Sequence, residues 1–496
     1  MALLGVRPLS VPDEGRYPEV AREMLLTGDF VTPKVNGIVF LDKPALYYWL
    51  EAGSMHVFGV NPWSIRLMPA LLGVLGVVAV FVAAYRLFSR RAAWWSAAAL
   101  ATNPLYFLAS QYADQNIEIA VWVTCALCCF LVGRREPEKS SARRWWLLGA
   151  WLAMALGILT KGLIGIVFPA MILGTWVLIR WRWRELRHWY FVSGTVLLLV
   201  VCLPWFVAVQ RANPQFLHYF FVYQQFDRFT GGGFNNALPF WFYVPVVLLA
   251  SLPWSVWLPL CLREQWRLAG FRGARADDNR QLLLLWPLLI LVFFSIPASK
   301  IVGYIVPVLP PLSLLLGDYL ARRFPAASLF KPAGEQSASR GRIALRVGVF
   351  GGAIYIVAVI VGAAFFDHSG ARPLAKTLQA QMQPADELIG YRNYPQDIPI
   401  YLKVPAPLTV VDDWNNVDIL KDDDWRREFY LGLQHQPEAR AWLIDDDAFA
   451  RRLRERKPGQ RIFVLARGRD AERLVARFAL HKVESYRKQV LLVTND

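Results

Sequence analysis

Ten long apolar runs dominate this chain, at about 66–88, 92–110, 116–133, 145–160, 162–180, 189–208, 237–262, 282–298, 301–317 and 344–366. A helix crossing the hydrocarbon of a bilayer needs roughly 20 mostly apolar residues, within about 17–25. Each run is therefore read as a transmembrane helix, and the fold class is a polytopic α-helical membrane protein. Composition agrees: 55% of the 496 residues are hydrophobic, and a soluble chain of this length has no use for so many near-continuous apolar runs.

The loops between the runs are strongly asymmetric. Alternate loops carry the basic residues Arg86–Arg91, Arg134–Arg144, Arg180–Arg187, Arg263–Arg280 and Arg322–Arg346. The opposite short loops hold only Lys161, Arg211, Arg228 and Lys300. Lys/Arg excess in short loops marks the cytoplasmic side, so the rule orients the bundle and singles out the outer cations. The net charge of +16 is spread over separate inner loops. It reads as topology and anionic-lipid contact, with no nucleic-acid partner. Trp94, Trp95, Trp145, Trp146, Trp181, Trp183 and Trp189 lie beside span ends, where interfacial anchors are expected. Cys125, Cys128, Cys129, Cys202 and Cys261 fall within or at the ends of apolar runs. They read as small buried residues rather than as a redox or metal motif.

The two ends of the chain differ from the middle. Residues 1–65 contain charges, Pro-marked turns and one amphipathic stretch, Pro44–Glu51. Parity places this segment outside, yet Met1–Val6 is too short to span and lacks a signal-peptide cleavage pattern. The simplest account is an upstream first helix missing through a misplaced start codon; mapping of the translation start to Met1 excludes it. After Phe366, short apolar runs at 398–402, 408–411, 461–465 and 490–493 alternate with charged helical patterns at 447–456 and 470–478. Strands alternating with helices predict a small α/β domain, outside by the same parity. The Pro-, Ala-, Ser- and Gly-rich segment 318–345 reads as a cytoplasmic loop.

Several polar motifs interrupt this pattern. Asp13 and Glu14, followed by Arg16 and Tyr17, suit proton abstraction or cation binding; the plainer reading is acids at a helix start. Asp42-Lys43-Pro44 is either a site pair or an exposed ion pair of little energetic value. Asp114 and Glu118 are four residues apart on one helical face, with Asn116 between them, and carboxylates at membrane depth usually face a cavity or a partner. Lys161 and Lys300 each interrupt an outer junction between apolar helices, and Arg228 follows His218 in an aromatic segment. Snorkelling explains any one such lysine. Several outer junctions, each holding a cation against the positive-inside bias, point instead to a phosphate-bearing substrate with a lipid tail. Lys and Arg give charge-assisted hydrogen bonds to phosphate, and a nearby carboxylate can act as general base.

Pro12–Tyr17, Phe40–Pro44, Thr160–Gly162, His218–Phe221 with Arg228-Phe229, Pro239–Trp241, Ser251–Trp254 and Ser299-Lys300 with Tyr304 occur in that order. Together they resemble the bacterial GT-C membrane glycosyltransferases related to the protein O-mannosyltransferases, in particular the branch that moves 4-amino-4-deoxy-L-arabinose onto lipid A. The resemblance covers about residues 10–310. It implies a GT-C fold of about 10–11 transmembrane helices over residues 1–366, including a periplasmic loop at 7–65, and a periplasmic α/β domain at 367–496. It further implies transfer of a sugar from a polyprenyl-phosphate (undecaprenyl-phosphate) donor to lipid A or another envelope glycan or protein acceptor, at the periplasmic face of the bacterial inner membrane. In such enzymes the position matching Asp13 activates the acceptor, with Glu14 beside it. Positions matching Lys43, Lys161, Arg228, Lys300 and Tyr304 hold the donor phosphate. Arg16, Tyr17, Asp42, Asp114, Asn116, Glu118 and His218 are further site candidates. The chemistry is inverting displacement at the anomeric carbon. It needs no obligatory cofactor, although related oligosaccharyltransferases use a divalent metal, which leaves room for one here. The chain departs from the aminoarabinose pattern at Asn116, where that branch has Asp, and at Gln224-Gln225, where it has Glu-His. These departures leave the sugar and acceptor open. Two other classes stay in view. One is a transporter or flippase of lipid-linked sugars, against which the chain shows no matched inverted halves. The other is a non-catalytic subunit of an envelope polysaccharide machine.

Overall fold

The computed structural model describes residues 4–221, 237–271, 277–324, 336–366, 370–404, 407–421 and 424–495. The chain divides into two compact units. One comprises Lys43–Tyr47 and Met68–Ala363; the other comprises Met1–Asp42, Tyr48–Leu67 and Ala364–Asp496.

The first unit is helical. Pro62–Leu87, Gln115–Gly133, Phe191–Ala212, Asp278–Ser295 and Val302–Arg323 are long and apolar enough to cross a membrane. Ser141–Lys161, Ile164–Arg180 and Gln336–Phe366 account for three further runs. The remaining two are broken. The run at 92–110 forms two helices, Arg90–Ala101 and Pro104–Ser110, because the Asn103 side chain caps the second by accepting from the Tyr106 amide at 3.1 Å and Pro104 fits a first helical turn. The run at 237–262 is bent by 110° between Phe240–Ala250 and Trp254–Ala269. It nevertheless follows the whole of Val302–Arg323. At one end the Tyr243 hydroxyl donates to the Ile301 carbonyl at 3.1 Å, and at the other Gln265 donates to the Leu315 carbonyl and Asp318, both at 2.9 Å.

Small residues let the helices approach closely, as is usual where lipid supplies no hydrophobic drive. A Cβ on Gly165 would lie 2.4 Å from the Gly157 carbonyl carbon, so Ser141–Lys161 and Ile164–Arg180 touch backbone to backbone. At the basic ends, arginines are tied down as well as topogenic: Arg134 pairs with Glu185 at 3.0 Å and Arg280 with Asp318 at 2.8 Å. Trp94, Trp145, Trp181 and Trp183 are exposed, as anchors should be. Trp95 and Trp189 are not: they are buried against Trp254 and Phe130 respectively, where ring packing outweighs an interfacial position. The five cysteines are free and at least half-buried.

The second unit is α/β. Its six-stranded sheet has the order β5-β4-β3-β6-β8-β7, with β3 Glu387–Tyr391, β4 Thr409–Val411, β5 Leu443–Ile444, β6 Ile462–Arg467, β7 Leu480–Tyr486 and β8 Gln489–Thr494. Strands β5, β4, β3 and β6 are parallel, and β8 and β7 close one edge antiparallel. Ile389, Val411, Phe449, Val464, Leu474 and Leu492 form its core. The helical patterns at 447–456 and 470–478 become Asp446–Arg454 and Gly468–Phe478. The run at 398–402, expected as a strand, is a short helix with Pro399 in its first turn, a position that proline favours.

Helix Asp13–Thr27 and a hairpin, β1 Lys34–Val35 and β2 Ile38–Val39, belong to this unit. Residues 7–42, assigned from sequence to a loop of the membrane domain, thus share a compact unit with the C-terminal residues. The hairpin turn holds Asn36 at φ 54° and Gly37 at φ 73°, the positive dihedrals that a two-residue turn demands. The Asn36 amide accepts from the Leu408 N–H at 2.7 Å and donates to the Leu408 carbonyl at 3.0 Å, imitating a neighbouring strand. Pro44–Glu51 opens the helix Leu46–Phe58.

Candidate functional site

The two adjacent acids of the first motif have different surroundings. Glu14 is fully buried and clamped by Arg66, itself 1% exposed, through Nε and Nη2 at 2.7 Å each. Arg7 and the Ser10 amide also donate to Glu14, at 3.0 and 2.9 Å. Arg66 spends its other N–H groups on the carbonyls of Leu4, Arg7 and Pro8 at 2.7–2.8 Å. A buried bidentate pair with its lone pairs filled holds the chain entering helix Asp13–Thr27 in one place. Asp13, one residue earlier, is 35% exposed. Its Oδ1 accepts from Arg16 Nη2 at 3.0 Å, and Arg16 Nη1 donates to Glu428. The guanidinium also lies over the rings of Tyr17 and Phe40, 4.8 and 5.7 Å from their centroids. Burial opposes the Arg16 charge, but Glu428, Tyr17, Asp13 and Asp42 together hold its pKa above the ordinary value. Burial pushes the Tyr17 phenol up, although Arg16 pulls the other way.

A second cluster lies in the helical unit. Asp114 caps helix Gln115–Gly133, accepting from the Asn116 amide N–H at 2.7 Å and from its side-chain Nδ2 at 2.5 Å. That orients the Asn116 oxygen, which accepts from Lys161 Nζ at 2.5 Å. The Lys161 ammonium also sits 4.9 Å from the centre of the Tyr304 ring. Gly303 makes room for this: a Cβ there would lie 2.6 Å from Asn116 Nδ2. Lys161 ends its helix at Gly162, whose φ of 83° turns the chain. Tyr304 stacks on Phe294 at 5.1 Å. Lys300 is 3% exposed and donates to the Pro297 carbonyl. Glu118 is fully buried in the first turn of helix Gln115–Gly133.

Of the residues singled out from sequence, the structure brings together Asp13, Arg16, Tyr17 and Asp42 in one unit, and Asp114, Asn116, Lys161 and Tyr304 in the other. Lys43 is half-buried before Pro44, and His218 is exposed in a helical segment at 216–221. Arg228 lies outside the described residues. Sequence reading missed Arg66 and Glu428. Arg66 heads an apolar run, where a charge is costly unless it is paired; that signal was available. Glu428, 412 residues from its partner Arg16, left none. The carboxylates do not compose a metal cradle. Glu14 is filled by Arg66, Arg7 and Ser10, Asp13 is paired with Arg16, and the described residues hold no group of three His, Cys, Asp or Glu suited to a metal.

Comparison with known proteins shows what the chain is similar to. Residues 5–220 match the family described as dolichyl-phosphate-mannose-protein mannosyltransferase. An undecaprenyl phosphate-alpha-4-amino-4-deoxy-L-arabinose arabinosyl transferase of Pseudomonas paraeruginosa is 34% identical over 321 residues, covering 64% of this chain and 57% of that protein. Its counterpart numbered 2 in Pseudomonas fluorescens is 35% identical over 324 residues, with the same coverage. The chain thus spans little more than half the length of these curated relatives. Among solved structures, ArnT from Cupriavidus metallidurans bound to undecaprenyl phosphate superposes with a TM-score of 0.83 at 27% identity, covering 99% of this chain and 95% of that one. The Archaeoglobus fulgidus oligosaccharyltransferase shares the fold at 12% identity, with a TM-score of 0.59 over 93% of this chain and 65% of that one. The chain is a membrane protein of the GT-C fold, and its residues 5–220 carry the match to the mannosyltransferase family.

Proposed function

We propose that this protein transfers a sugar from undecaprenyl phosphate, or a similar polyprenyl phosphate, to lipid A or another envelope acceptor. The reaction runs at the periplasmic face of the bacterial inner membrane, where the positive-inside rule puts Lys161 and Lys300. Asp13 is the candidate base. It takes the proton as the acceptor oxygen attacks the anomeric carbon from the face opposite the leaving group. The bond from that carbon to the phosphate oxygen breaks, its electron pair stays on the polyprenyl phosphate, and configuration inverts. Lys43, Lys161, Arg228, Lys300 and Tyr304 are the candidate phosphate holders, stabilising charge as it develops on the leaving group. Glu14 supports the base by fixing the backbone beside it.

The observation that carries this reading is the setting of Lys161. Its ammonium donates to the Asn116 oxygen at 2.5 Å and lies 4.9 Å from the centre of the Tyr304 ring, which fixes a cation where two apolar helices meet. The printed names of the relatives and the undecaprenyl phosphate in the Cupriavidus structure supply the donor class.

The test is mass spectrometry of lipid A and envelope glycans from cells with the protein, without it, and with Asp13→Asn. A sugar-sized mass is expected only with the wild type. Removing a general base should slow transfer about 100-fold or more, while the purified variant still binds polyprenyl phosphate. Unchanged glycan output from Asp13→Asn cells would favour a transporter or a non-catalytic subunit.

A further inference from the structure

One guanidinium serves two carboxylates. Arg16 Nη2 donates to Asp13 at 3.0 Å, while Nη1 on the other edge donates to Glu428. Asp13 belongs to the first helix of the chain, and Glu428 to Trp425–His435 in the C-terminal part of the same compact unit. The position of Glu428 is firmly determined. Asp424 caps its helix, accepting from the Arg426 N–H at 3.0 Å and from Arg426 Nε at 3.0 Å. Phe429, 1% exposed, anchors the next position between Tyr394 and Trp425, with ring centroids 4.9 and 5.5 Å away. The carboxylate therefore reaches Arg16 from a rigid element. The groups facing Arg16 are Glu428, Tyr17, Asp13 and Asp42, and Tyr48 faces Tyr17 and Asp42 in turn.

The chemistry of this sharing is specific. An arginine paired with Asp13 alone would hold that carboxylate as a tight ion pair. A second carboxylate on the opposite edge takes up part of the guanidinium charge and fixes its plane. We propose that Glu428 is a positioning residue for the transfer reaction: it holds Arg16 so that the guanidinium orients Asp13 without being committed to that carboxylate alone. This rests on the reading of Asp13 as the base. It also assigns the C-terminal α/β region a direct part in the reaction, which neither the motifs nor the family signature over residues 5–220 includes.

The experiment is the pH profile of sugar transfer by the full chain in detergent, with polyprenyl-phosphate-linked sugar and lipid A as substrates. Glu428→Gln removes the second carboxylate that Arg16 donates to and leaves more of its charge on Asp13. The acid limb of the rate should move to lower pH by about one unit, and the plateau should fall about tenfold, because a weaker base transfers the proton less well. The KM for the donor should not change. Glu428→Asp, which keeps the charge, should keep the wild-type limb and carries the test if the amide variant melts early. In an Arg16→Gln background, Glu428→Gln should shift the limb no further, since coupled groups are non-additive. A rate that falls equally at every pH, or an unchanged profile, overturns the role of Glu428 while loss of transfer in Asp13→Asn preserves the base reading. Full transfer by Asp13→Asn, or none by the wild type, removes both.

Discussion

The carboxylate cluster of the α/β unit and the lysine cluster of the helical unit solve opposite problems. Around Asp13 and Glu14, acids are matched by arginines: Glu14 by Arg66 and Arg7, Asp13 by an Arg16 shared with Glu428. Around Lys161, the ammonium meets the Asn116 oxygen and the Tyr304 ring. The first arrangement neutralises charge so that acids survive burial. The second fixes a cation through an amide oxygen and a ring face. Within the first cluster the contrast recurs between neighbours, with Glu14 fully enclosed and Asp13 a third exposed. Enclosure marks the structural acid, and partial exposure is what the proposed base requires.

The hardest test of this contrast is the Glu14–Arg66 pair. Arg66→Ala strands a buried carboxylate, which typically costs about 3–5 kcal/mol. The variant should melt well below wild type, or fail to accumulate, in a detergent thermal melt; normal stability would mean that Glu14 is not locked as described. Next comes Lys161→Ala, which removes one charge-assisted contact to donor phosphate, worth about 1.5–3 kcal/mol. Donor KM should rise roughly 10–100-fold with little change in melting, and Lys300→Ala should act in the same direction. Normal donor kinetics in both variants would break the parallel between the clusters and the two halves of the reaction.

The smallest effect is a pH dependence. Burial, and then the Glu19 charge, push the Glu23 carboxyl up to about 8. Its proton is held more tightly in the folded state than in the unfolded chain, where an ordinary glutamate titrates near 4.3. Stability is therefore greatest below the unfolded value and declines as pH rises through the window up to about 8. Glu23→Gln, neutral at every pH, should flatten the slope of melting temperature between pH 5 and 8. A slope unchanged by the substitution would place the pH sensitivity elsewhere.

Much of the fold was legible because its drive is local. Continuous apolar stretches such as 116–133 name their own helices, and Asp114 ahead of one supplies its cap. The bend at Ser251–Pro253 was hidden, since hydropathy reports length and not direction. Ile398–Leu402 misled because five apolar residues suit a strand or a helix equally, and Pro399 decides for the helix. The candidate site was legible where a charge violates its surroundings, as at Lys161 and Lys300. It was illegible where a polar residue in a polar segment finds a distant partner. Nothing about Glu428 distinguishes it from the charged residues around it until the chain folds back on Arg16.

That fold-back also sets a timetable. Arg16 and Glu428 lie 412 residues apart, and at about 5–20 residues per second a ribosome takes roughly 20–80 s to make the intervening chain. For most of that interval helix Asp13–Thr27 lacks the helix Ile398–Leu402 that it packs against. The Asn36 amide lacks Leu408, and Arg22 lacks the Val404 carbonyl that it meets in the finished protein at 2.6 Å. The beginning of this protein can complete its folding only once its end has been made.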